Sequence, residues 1–410
     1  MSLDYETQTG GPASFPKQPT VLLLAPLYPP AYRGGGPIRT TEAMVEKHGD
    51  RFRFHVITSN TDWGESTPLD VETDRWVTRG KARVIYTKKR SIVSLFRALR
   101  EGAKLKPDFV HINGLLSPDF SIFPLALSRL GCFSSGTVIY APRGGLGDAA
   151  LSIKPRKKKF YLCTSRLTGL HSRVTWHASS AAEALEIRRH RPKAQVAVRL
   201  NESNLPKSAL RSKASCTQIV RIIYVSRISE IKGLKLLLEA LAEVTTNVIV
   251  DIFGSANDPI YLEHCRARAA TLSSNINVTF HGSVENSRVR ELFAKADAFF
   301  LPTEQENFGH AIAESLSAGC PTFVEDVTPW TEVISRGGGK IVGDHTVAAW
   351  RAALQEYCTL PPVERTEMKK RAADAYEEWR SNDSSSSIFD LVANRQFFTD
   401  EEMLSVHGRA

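Results

Sequence analysis

The sequence predicts an α/β fold made of two doubly wound domains. Short apolar segments alternate with helical segments along most of the chain, and continuous apolar strands are typical of parallel sheets covered by helices on both faces. The alternation stops at residues 206–217 and restarts with the apolar segment 219–225. The chain has 410 residues, which is enough for two domains of ordinary size.

Changes in composition give the predicted boundaries. Residues 1–17 are polar and contain Gly and Pro, which predicts a short disordered leader. An N-terminal domain at 18–205 and a C-terminal domain at 218–384 flank a linker at 206–217. We expect residues 385–410 to form a helical tail that packs back on the N-terminal domain, because an apolar helix after the second domain must bury its face somewhere.

The composition favours a cytoplasmic protein. No apolar run approaches the ~20 residues that a bilayer-spanning helix needs. The six cysteines are scattered without CxxC pairs, which indicates a reducing compartment and no structural zinc.

The chain is basic, with a net charge of +9, which suits an anionic partner such as nucleic acid, anionic lipid or a polyphosphate ligand. The densest basic run extends from Lys154 to Lys159. This run is either a solvated helix start or a patch that contacts anionic lipid headgroups, where each cation contributes roughly 1 kcal/mol. No nucleic-acid-binding motif accompanies it, so nucleic acid is not an expected partner.

The most informative stretch lies at 304–324. An apolar strand is followed by a polar loop with Glu306, and then by a helix that begins near Gly309, contains Glu314 and ends near Gly319. The free N–H groups of a helix start favour an anion such as a diphosphate, and a carboxylate one turn deeper can accept hydrogen bonds from a ribose diol. The spacing fits a sugar-nucleotide site, but two solvated glutamates on a surface helix would show the same spacing.

Two cations follow the first strand of the second domain. Arg227 lies at the carboxyl end of that strand, and Lys232 lies at the start of the next helix. Two cations in this position can neutralise a diphosphate and stabilise it as a leaving group. The alternative interpretation is a pair of exposed charges.

Three first-domain loops are predicted at the sheet edge where open α/β sheets bind ligands. Residues 34–36 are all glycine, which lets backbone N–H groups approach a phosphate. Asn113 ends another strand, in which His111 is interpreted as a core or supporting histidine, and Arg143 lies in a glycine-rich loop. Arg143 either holds a phosphate or sugar or packs its loop. The dinucleotide fingerprint GxGxxG, the P-loop motif and a metal-holding Asp-x-Asp are absent from the sequence.

Taken together, these motifs resemble those of the retaining nucleotide-sugar glycosyltransferases of family four, which have the GT-B fold. The resemblance spans residues 20–400. The E-x7-E signature of that family is matched by Glu306 and Glu314, and its Arg-x4-Lys-Gly element begins at Arg227 and includes Lys232.

The resemblance implies a role for each matched residue. In such enzymes the C-terminal domain, here 218–384, binds a UDP- or GDP-sugar, and the N-terminal domain, here 18–205, binds the acceptor across a cleft. By this resemblance Arg227 and Lys232 bind the diphosphate, and Glu314 binds the ribose hydroxyls. Glu306, with the amides near Phe308 and Gly309, contacts the donor sugar by the same resemblance. It further implies that Gly35 and Gly36 approach the phosphates and that Gly282 and Val284 frame the base.

Two further points follow from the resemblance. Segments 142–144 and 328–332 resemble a subgroup that builds bacterial surface polysaccharides. Many relatives have a histidine where Asn113 stands, so Asn113 or Arg143 is expected to orient the acceptor instead.

The implied reaction is metal-independent sugar transfer with retention of configuration and without a cofactor. The cations stabilise the departing nucleoside diphosphate, and its own oxygen takes the proton of the acceptor. The expected acceptor is a lipid-linked saccharide or a growing polysaccharide. This would place the enzyme in the cytoplasm, peripherally on the inner face of the cell membrane.

Two other functions remain open. The chain could be another GT-B sugar-nucleotide enzyme such as an epimerase or a phosphorylase, although the Arg227–Lys232 pair and the E-x7-E signature argue against both. It could also be a noncatalytic, degenerate glycosyltransferase subunit, an interpretation that Asn113 keeps open.

Overall fold

The computed structural model describes residues 12–399, apart from residues 14, 16, 134–135, 153–154, 212–216, 257 and 383–385. The chain divides into two compact units. The first extends to Asn204 and takes in the C-terminal segment from residue 384, and the second is Leu205–Asp383. Most of the predicted leader 1–17 lies outside the described residues.

The first unit is built on one sheet whose strands are nearly all parallel. Its described strands are β1 (Thr20–Leu24), β2 (Arg53–Ser59), β3 (Val77–Arg79), β4 (Ala82–Thr87), β5 (Phe109–Asn113), β6 (Thr137–Ala141), β7 (Val174–Ala178) and β8 (Gln195–Val198). They lie in the order β3-β4-β2-β1-β5-β6-β7-β8, and β3 alone runs antiparallel, to β4. The helices are α1 (Gly36–His48), α2 (Ile92–Lys104), α3 (Phe123–Arg129), α4 (Asp148–Ser152), α5 (Pro155–Leu167) and α6 (Ala181–His190).

Both faces of this sheet are covered, as the continuous apolar strands predict. Alternate residues of β1 enter different cores: Leu22 and Leu24 pack on one face, and Val21 and Leu23 pack on the other. The first strand pairs with β2 on one side and with β5 on the other. The chain therefore reverses direction across the sheet at β1, which opens a crevice at the carboxyl ends of β1 and β5.

The second unit has a fully parallel sheet. Its described strands are β9 (Val220–Val225), β10 (Val248–Phe253), β11 (Ile276–Gly282), β12 (Ala298–Leu301), β13 (Thr322–Glu325) and β14 (Gly339–Val342), in the order β11-β10-β9-β12-β13-β14. The helices are α7 (Leu234–Ala240), α8 (Pro259–Ala270), α9 (Asn286–Lys295), α10 (His310–Ser317), α11 (Thr331–Val333), α12 (Val347–Thr359) and α13 (Pro362–Ser381). The strand order reverses between β9 and β12, which creates a second crevice at their carboxyl ends.

The C-terminal helix α14 (Ile388–Ala393) packs on the first unit. Phe389 is fully buried, with its ring centroid 5.1 Å from that of Phe52 and 5.4 Å from that of Phe109. Arg51 in turn donates to the Asp390 carboxylate at 2.7 Å. The apolar face of α14 thus finds its partner in the first sheet. The predicted fold class, two doubly wound domains with a returning C-terminal helix, is confirmed.

The predicted linker at 206–217 is described as far as Arg211. These residues are bound to the second unit. The amide of Ala209 donates to Glu377 at 2.9 Å, that of Leu210 donates to the Ser317 carbonyl at 2.8 Å, and Arg211 pairs with Glu377 at 2.7 Å. Within the described residues, no helix is both long and apolar enough to cross a membrane.

Candidate functional site

In the second unit, the loops that follow β9 and β12 meet at the crevice between these strands. The amide of Glu304 donates to the Ile231 carbonyl at 2.9 Å. Gly233, at the end of the β9 loop, has φ +64°, and a Cβ on it would lie 1.8 Å from the Pro302 carbonyl oxygen. Only glycine fits this close approach, so the glycine at position 233 allows the two loops to meet.

Lys232 lies at the centre of this contact. It is 8% exposed, and its Nζ donates to Thr303 Oγ1 at 3.2 Å, to the Gln305 carbonyl at 2.9 Å and to Glu306 Oε2 at 2.7 Å. A lysine ammonium has three N–H donors, and all three are therefore used. The structure brings together Lys232 and Glu306, which are 74 residues apart in the sequence.

Arg227 stands at the carboxyl end of β9, in the same loop. Its side chain is exposed, and it makes no ion pair with any described residue. Arg227 thus offers a free guanidinium beside the Lys232–Glu306 pair. Guanidinium groups bind phosphate through paired N–H donors.

Helix α10 begins at this crevice with an uncapped end. Its N-cap, Gly309, has φ +76° and supplies no side-chain cap. The carbonyl of Phe308 accepts a hydrogen bond from the buried indole N–H of Trp330, which fixes the turn before the helix. Glu314, 7% exposed, lies one turn inside α10.

Gly282 and Val284 lie further along the same sheet edge. Gly282 ends β11, has φ +74° and accepts a hydrogen bond from the Gly254 amide at 2.8 Å. Because β10 separates β11 from β9, these two residues lie at a distance from the Lys232–Glu306 pair. This placement is compatible with the two ends of a nucleotide.

In the first unit, Asn113 and Arg143 form a second polar centre. Asn113 ends β5 and is 2% exposed, and its Oδ1 accepts hydrogen bonds from Arg143 Nε at 3.1 Å and Nη2 at 2.9 Å. Arg143 Nη1 also donates to Asn201 Oδ1. A guanidinium has five N–H donors, so two donors of Arg143 are left for a ligand.

A buried chain of side chains orients Asn113. The Arg199 carbonyl can only accept, so His177 Nε2 donates to it at 3.0 Å and His177 Nδ1 carries no proton. His111 Nε2 therefore donates to His177 Nδ1 at 3.1 Å, and His111 Nδ1 accepts from Asn113 Nδ2 at 2.9 Å. This leaves the Asn113 oxygen to face Arg143. One carbonyl thus sets every tautomer and the amide orientation.

Burial governs the protonation of this centre. Burial and the nearby Arg143 cation hold the pKa values of His111 and His177 well below their usual range, so both rings are neutral. Burial also lowers the pKa of Arg143 to about 10, which still leaves it charged at neutral pH. Glu183 holds the glycine-rich loop that follows Arg143, because its carboxylate accepts a hydrogen bond from the Gly144 amide at 2.6 Å.

Gly35 and Gly36 begin α1 after the β1 loop. Gly35 has φ +69°, and no side chain caps the helix. The loop is held by Asp62, whose carboxylate accepts from the amides of Tyr32 at 3.0 Å and Arg33 at 3.1 Å. Here too, the first amides of a helix lie at the sheet edge predicted to bind ligands.

Sequence reasoning missed several supporting residues. Thr303, Trp330, Asp62, His177 and Asn201 each hold a predicted site residue or its loop. Each contact joins chain segments that are distant in sequence, so the local pattern does not show it.

The basic run is described from Pro155 onwards, since Lys154 falls outside the described residues. It forms the first turns of α5, where Arg156, Lys157 and Lys159 are exposed. Phe160 and Leu167 of the same helix are 71% and 82% exposed. The described part of the run thus lies on an exposed helix surface, and the same helix also exposes two apolar side chains.

A known family model matches most of the second unit. The sequence model for "Glycosyl transferases group 1" matches residues 213–375. The chain is 27% identical over 135 residues to the D-inositol 3-phosphate glycosyltransferase of Xylanimonas cellulosilytica, which covers 32% of each protein. It is 22% identical over 188 residues to a GDP-mannose:cellobiosyl-diphosphopolyprenol alpha-mannosyltransferase of Komagataeibacter xylinus, covering 44% of this chain and 47% of the relative. The chain thus matches about a third to a half of the length of these relatives.

Solved structures resemble nearly the whole chain. The Anabaena protein Alr3699/HepE, solved with UDP and glucose, superposes with a TM-score of 0.65 at 17% identity, covering 95% of this chain and 100% of that one. Sucrose-phosphate synthase from Thermosynechococcus elongatus gives a TM-score of 0.65 at 16% identity, covering 96% and 99%. These likenesses show that the fold is GT-B.

Proposed function

We propose that the protein transfers a sugar from a nucleoside-diphosphate donor to a saccharide acceptor, and the match of residues 213–375 to the model for "Glycosyl transferases group 1" supports this. The observation that supports this most strongly is the crevice of the second unit. It combines a free guanidinium, a buried lysine paired with a glutamate, and a helix start without a side-chain cap.

In this proposal, the diphosphate of the donor binds Arg227, Lys232 and the first amides of α10. Phosphate groups favour cations and the N-terminus of a helix. Glu314 is too close to that end to face a phosphate without repulsion, but its carboxylate can accept hydrogen bonds from ribose hydroxyls. Gly282 and Val284 would then lie towards the base.

Lys232 can bind a diphosphate only by exchanging a partner, since its three donors are already used. We expect the diphosphate to replace Glu306 as a partner of Lys232, because this exchange also frees Glu306 for another contact. Once released, Glu306 is free to accept hydrogen bonds from the donor sugar. Donor binding and sugar recognition would therefore be coupled through one ion pair.

We propose that transfer retains the anomeric configuration and needs no metal or other cofactor. The bond between the anomeric carbon and the diphosphate oxygen breaks, and the acceptor oxygen bonds to that carbon on the same face. The proton of the acceptor hydroxyl passes to the departing diphosphate. Arg227 and Lys232 stabilise the charge that develops there, which is the main requirement of such a step.

The acceptor is proposed to be a lipid-linked saccharide or a growing polysaccharide, oriented by Arg143 and Asn113. Arg143 keeps two N–H donors for it, and the histidine chain fixes their direction. Relatives named for acceptors with a diphosphopolyprenol or a phosphatidylinositol group support this class. The exposed cations and apolar side chains of α5 would contact the inner face of the cell membrane, with the protein otherwise in the cytoplasm.

The test measures release of nucleoside diphosphate from UDP- and GDP-sugars, with and without a lipid-linked saccharide extract and with EDTA present. We expect release that depends on the extract, persists in EDTA and yields a product of retained configuration. Release independent of any acceptor would indicate hydrolysis or epimerisation. A protein that binds the donor but never releases nucleoside diphosphate would be a noncatalytic subunit.

A further inference from the structure

A cavity of about 560 Å³ lies in the first unit, at the carboxyl ends of β2 and β4. The described residues that line it include Asn60, Thr61, Thr73, Lys88, Lys89 and Arg90, and no carboxylate is among the lining residues. Three consecutive cations with neutral hydroxyl and amide groups between them form a lining suited to a phosphate or diphosphate. None of these residues belongs to the sites described above.

The cavity wall is built by contacts between the two strand ends. The Asn60 amide donates to the Thr87 carbonyl at 2.9 Å, and Asn60 Oδ1 accepts from the Lys89 amide at 3.1 Å. The Lys88 amide donates to Ser94 Oγ at 2.9 Å. The backbone of the cationic turn is therefore fixed by hydrogen bonds.

The three cationic side chains are only partly engaged. Lys88 Nζ lies 3.6 Å from the nearer carboxylate oxygen of Asp74, and Lys89 Nζ donates to the Glu65 carbonyl. Arg90 is exposed, makes no ion pair with a described residue and has φ +58°, an uncommon conformation for a side-chain-bearing residue. A surplus of positive charge thus faces the cavity.

The wall of this cavity is continuous with the glycine loop of the first unit. Asp62, which follows the lining residues Asn60 and Thr61, accepts hydrogen bonds from the Tyr32 and Arg33 amides. Arg33 also pairs with Glu65. An anion in the cavity would therefore lie beside the 34–36 loop, at the same sheet edge as Asn113.

An exposed apolar surface begins directly after the cations. In the first turns of α2, Ile92 is 77% exposed, Val93 is 69% exposed and Phe96 is 54% exposed. The Phe96 ring lies 6.5 Å from that of Phe123 on the neighbouring helix. Three large apolar side chains exposed within five residues are unusual on a protein surface and indicate an apolar partner.

We propose that this cavity binds the phosphate or diphosphate group of a lipid-linked acceptor, with the lipid chain lying against Ile92, Val93 and Phe96. The order of the residues along the chain, cations first and apolar side chains next, matches the order of phosphate and hydrocarbon in such a molecule. The identification of the bound lipid as the sugar acceptor rests on the proposed function. The phosphate site itself does not depend on it.

The test is direct binding of farnesyl diphosphate, inorganic pyrophosphate and farnesol to the 410-residue chain, measured by calorimetry. The cavity variant carries K88Q, K89Q and R90Q. A matched control carries K295Q, K370Q and R371Q, which remove the same charge from exposed positions of the second unit. A third variant carries I92S, V93S and F96S.

We expect the cavity variant to bind farnesyl diphosphate at least about tenfold more weakly than the native protein does, because it loses charge-assisted contacts to the phosphates. The control should bind like the native protein. Pyrophosphate should bind more weakly than farnesyl diphosphate, and the serine variant should remove that difference. Unchanged binding in the cavity variant would overturn the proposal. Equal affinity for pyrophosphate and farnesyl diphosphate in the native protein would overturn its lipid part and indicate a site for free phosphate.

The donor site also attracts diphosphates, so each titration is repeated with Arg227→Ala. We expect this change to weaken binding of nucleoside diphosphates and to leave the cavity-dependent binding of farnesyl diphosphate intact. If nucleotide sugars fail to bind at all, the proposed function fails while the cavity result stands. If nucleotide sugars bind and the cavity variant behaves like native protein, only this inference fails.

Discussion

Replacing Glu306 with glutamine should strengthen binding of a nucleoside diphosphate while slowing sugar transfer. In the structure, Glu306 occupies one of the three donors of the buried Lys232 ammonium, at 2.7 Å. A diphosphate must displace it. Glutamine keeps an acceptor oxygen at that place but removes the charge, so the displaced bond becomes weaker.

The size of the effect follows from that exchange. A hydrogen bond to a charged group contributes about 1.5–3 kcal/mol, and a bond to a neutral acceptor contributes about 0.5–1.5 kcal/mol. The difference is about 1–1.5 kcal/mol, which corresponds to roughly five- to tenfold tighter binding of UDP or GDP. Transfer from the intact nucleotide sugar should fall roughly 100-fold, since the carboxylate no longer binds the donor sugar.

Calorimetry with the preferred nucleoside diphosphate measures the first effect, and steady-state turnover measures the second. Glu304→Gln is the matched control, because Glu304 is exposed in the same loop and does not bond to Lys232. It should leave both quantities within about twofold of native, as surface substitutions usually do. Weaker binding of the nucleoside diphosphate to Glu306→Gln would refute the proposed exchange at Lys232.

Three further outcomes are expected. Burial raises the pKa of Glu202, but Arg199, His48 and Lys47 outweigh burial and hold this pKa at about 2. Because the folded pKa lies below the unfolded value, the ionised carboxylate stabilises the fold by about 3 kcal/mol above pH 5. This stabilisation is lost as the pH falls towards 2. Urea titrations of Glu202→Gln across that range should therefore show a flatter dependence of stability on pH than native protein, and an equal slope would contradict the assignment. Gly233→Ala should lower the free energy of unfolding by more than about 2 kcal/mol, because the added Cβ would lie 1.8 Å from a carbonyl oxygen. In the control Gly343→Ala the added Cβ meets nothing within 4 Å, so the free energy of unfolding should fall by less than about 1 kcal/mol. Asn113→Leu should raise the KM for the acceptor about tenfold or more without changing donor affinity. The reason is that Arg143 loses the oxygen that accepts two of its hydrogen bonds, each worth about 1 kcal/mol or more. A change in donor affinity alone would count against this role.

The fold could be predicted from the sequence because parallel strands buried on both faces leave continuous apolar runs. The run before Arg227 and the run before Pro302 each became a central strand. The last helix was predicted less well. Its apolar pattern continues to Phe398, but the helix ends at Ala393, Arg395 adopts φ +54°, and Phe398 donates its amide to the Val196 carbonyl. A strand edge competed for those residues, and the local pattern does not show this.

The candidate site was predictable residue by residue but not in its contacts. Strand ends and glycines indicated Lys232, Glu306, Asn113 and Arg143. The pairing of Lys232 with Glu306 and of Asn113 with Arg143 depends on which strands become neighbours, which the spacing does not give. The cavity near Lys88 was missed, although three consecutive cations at 88–90 were a visible signal.

Isothermal titration of UDP and GDP into the native protein, Arg227→Ala and Arg266→Ala tests the central claim most directly. Both arginines are exposed in the second unit, but only Arg227 stands at the crevice. The account predicts that one nucleoside diphosphate binds the native protein, that Arg227→Ala weakens it by about tenfold or more through loss of a charge-assisted contact, and that Arg266→Ala does not. Failure of both nucleotides to bind, or equal binding to Arg227→Ala and native protein, would contradict it.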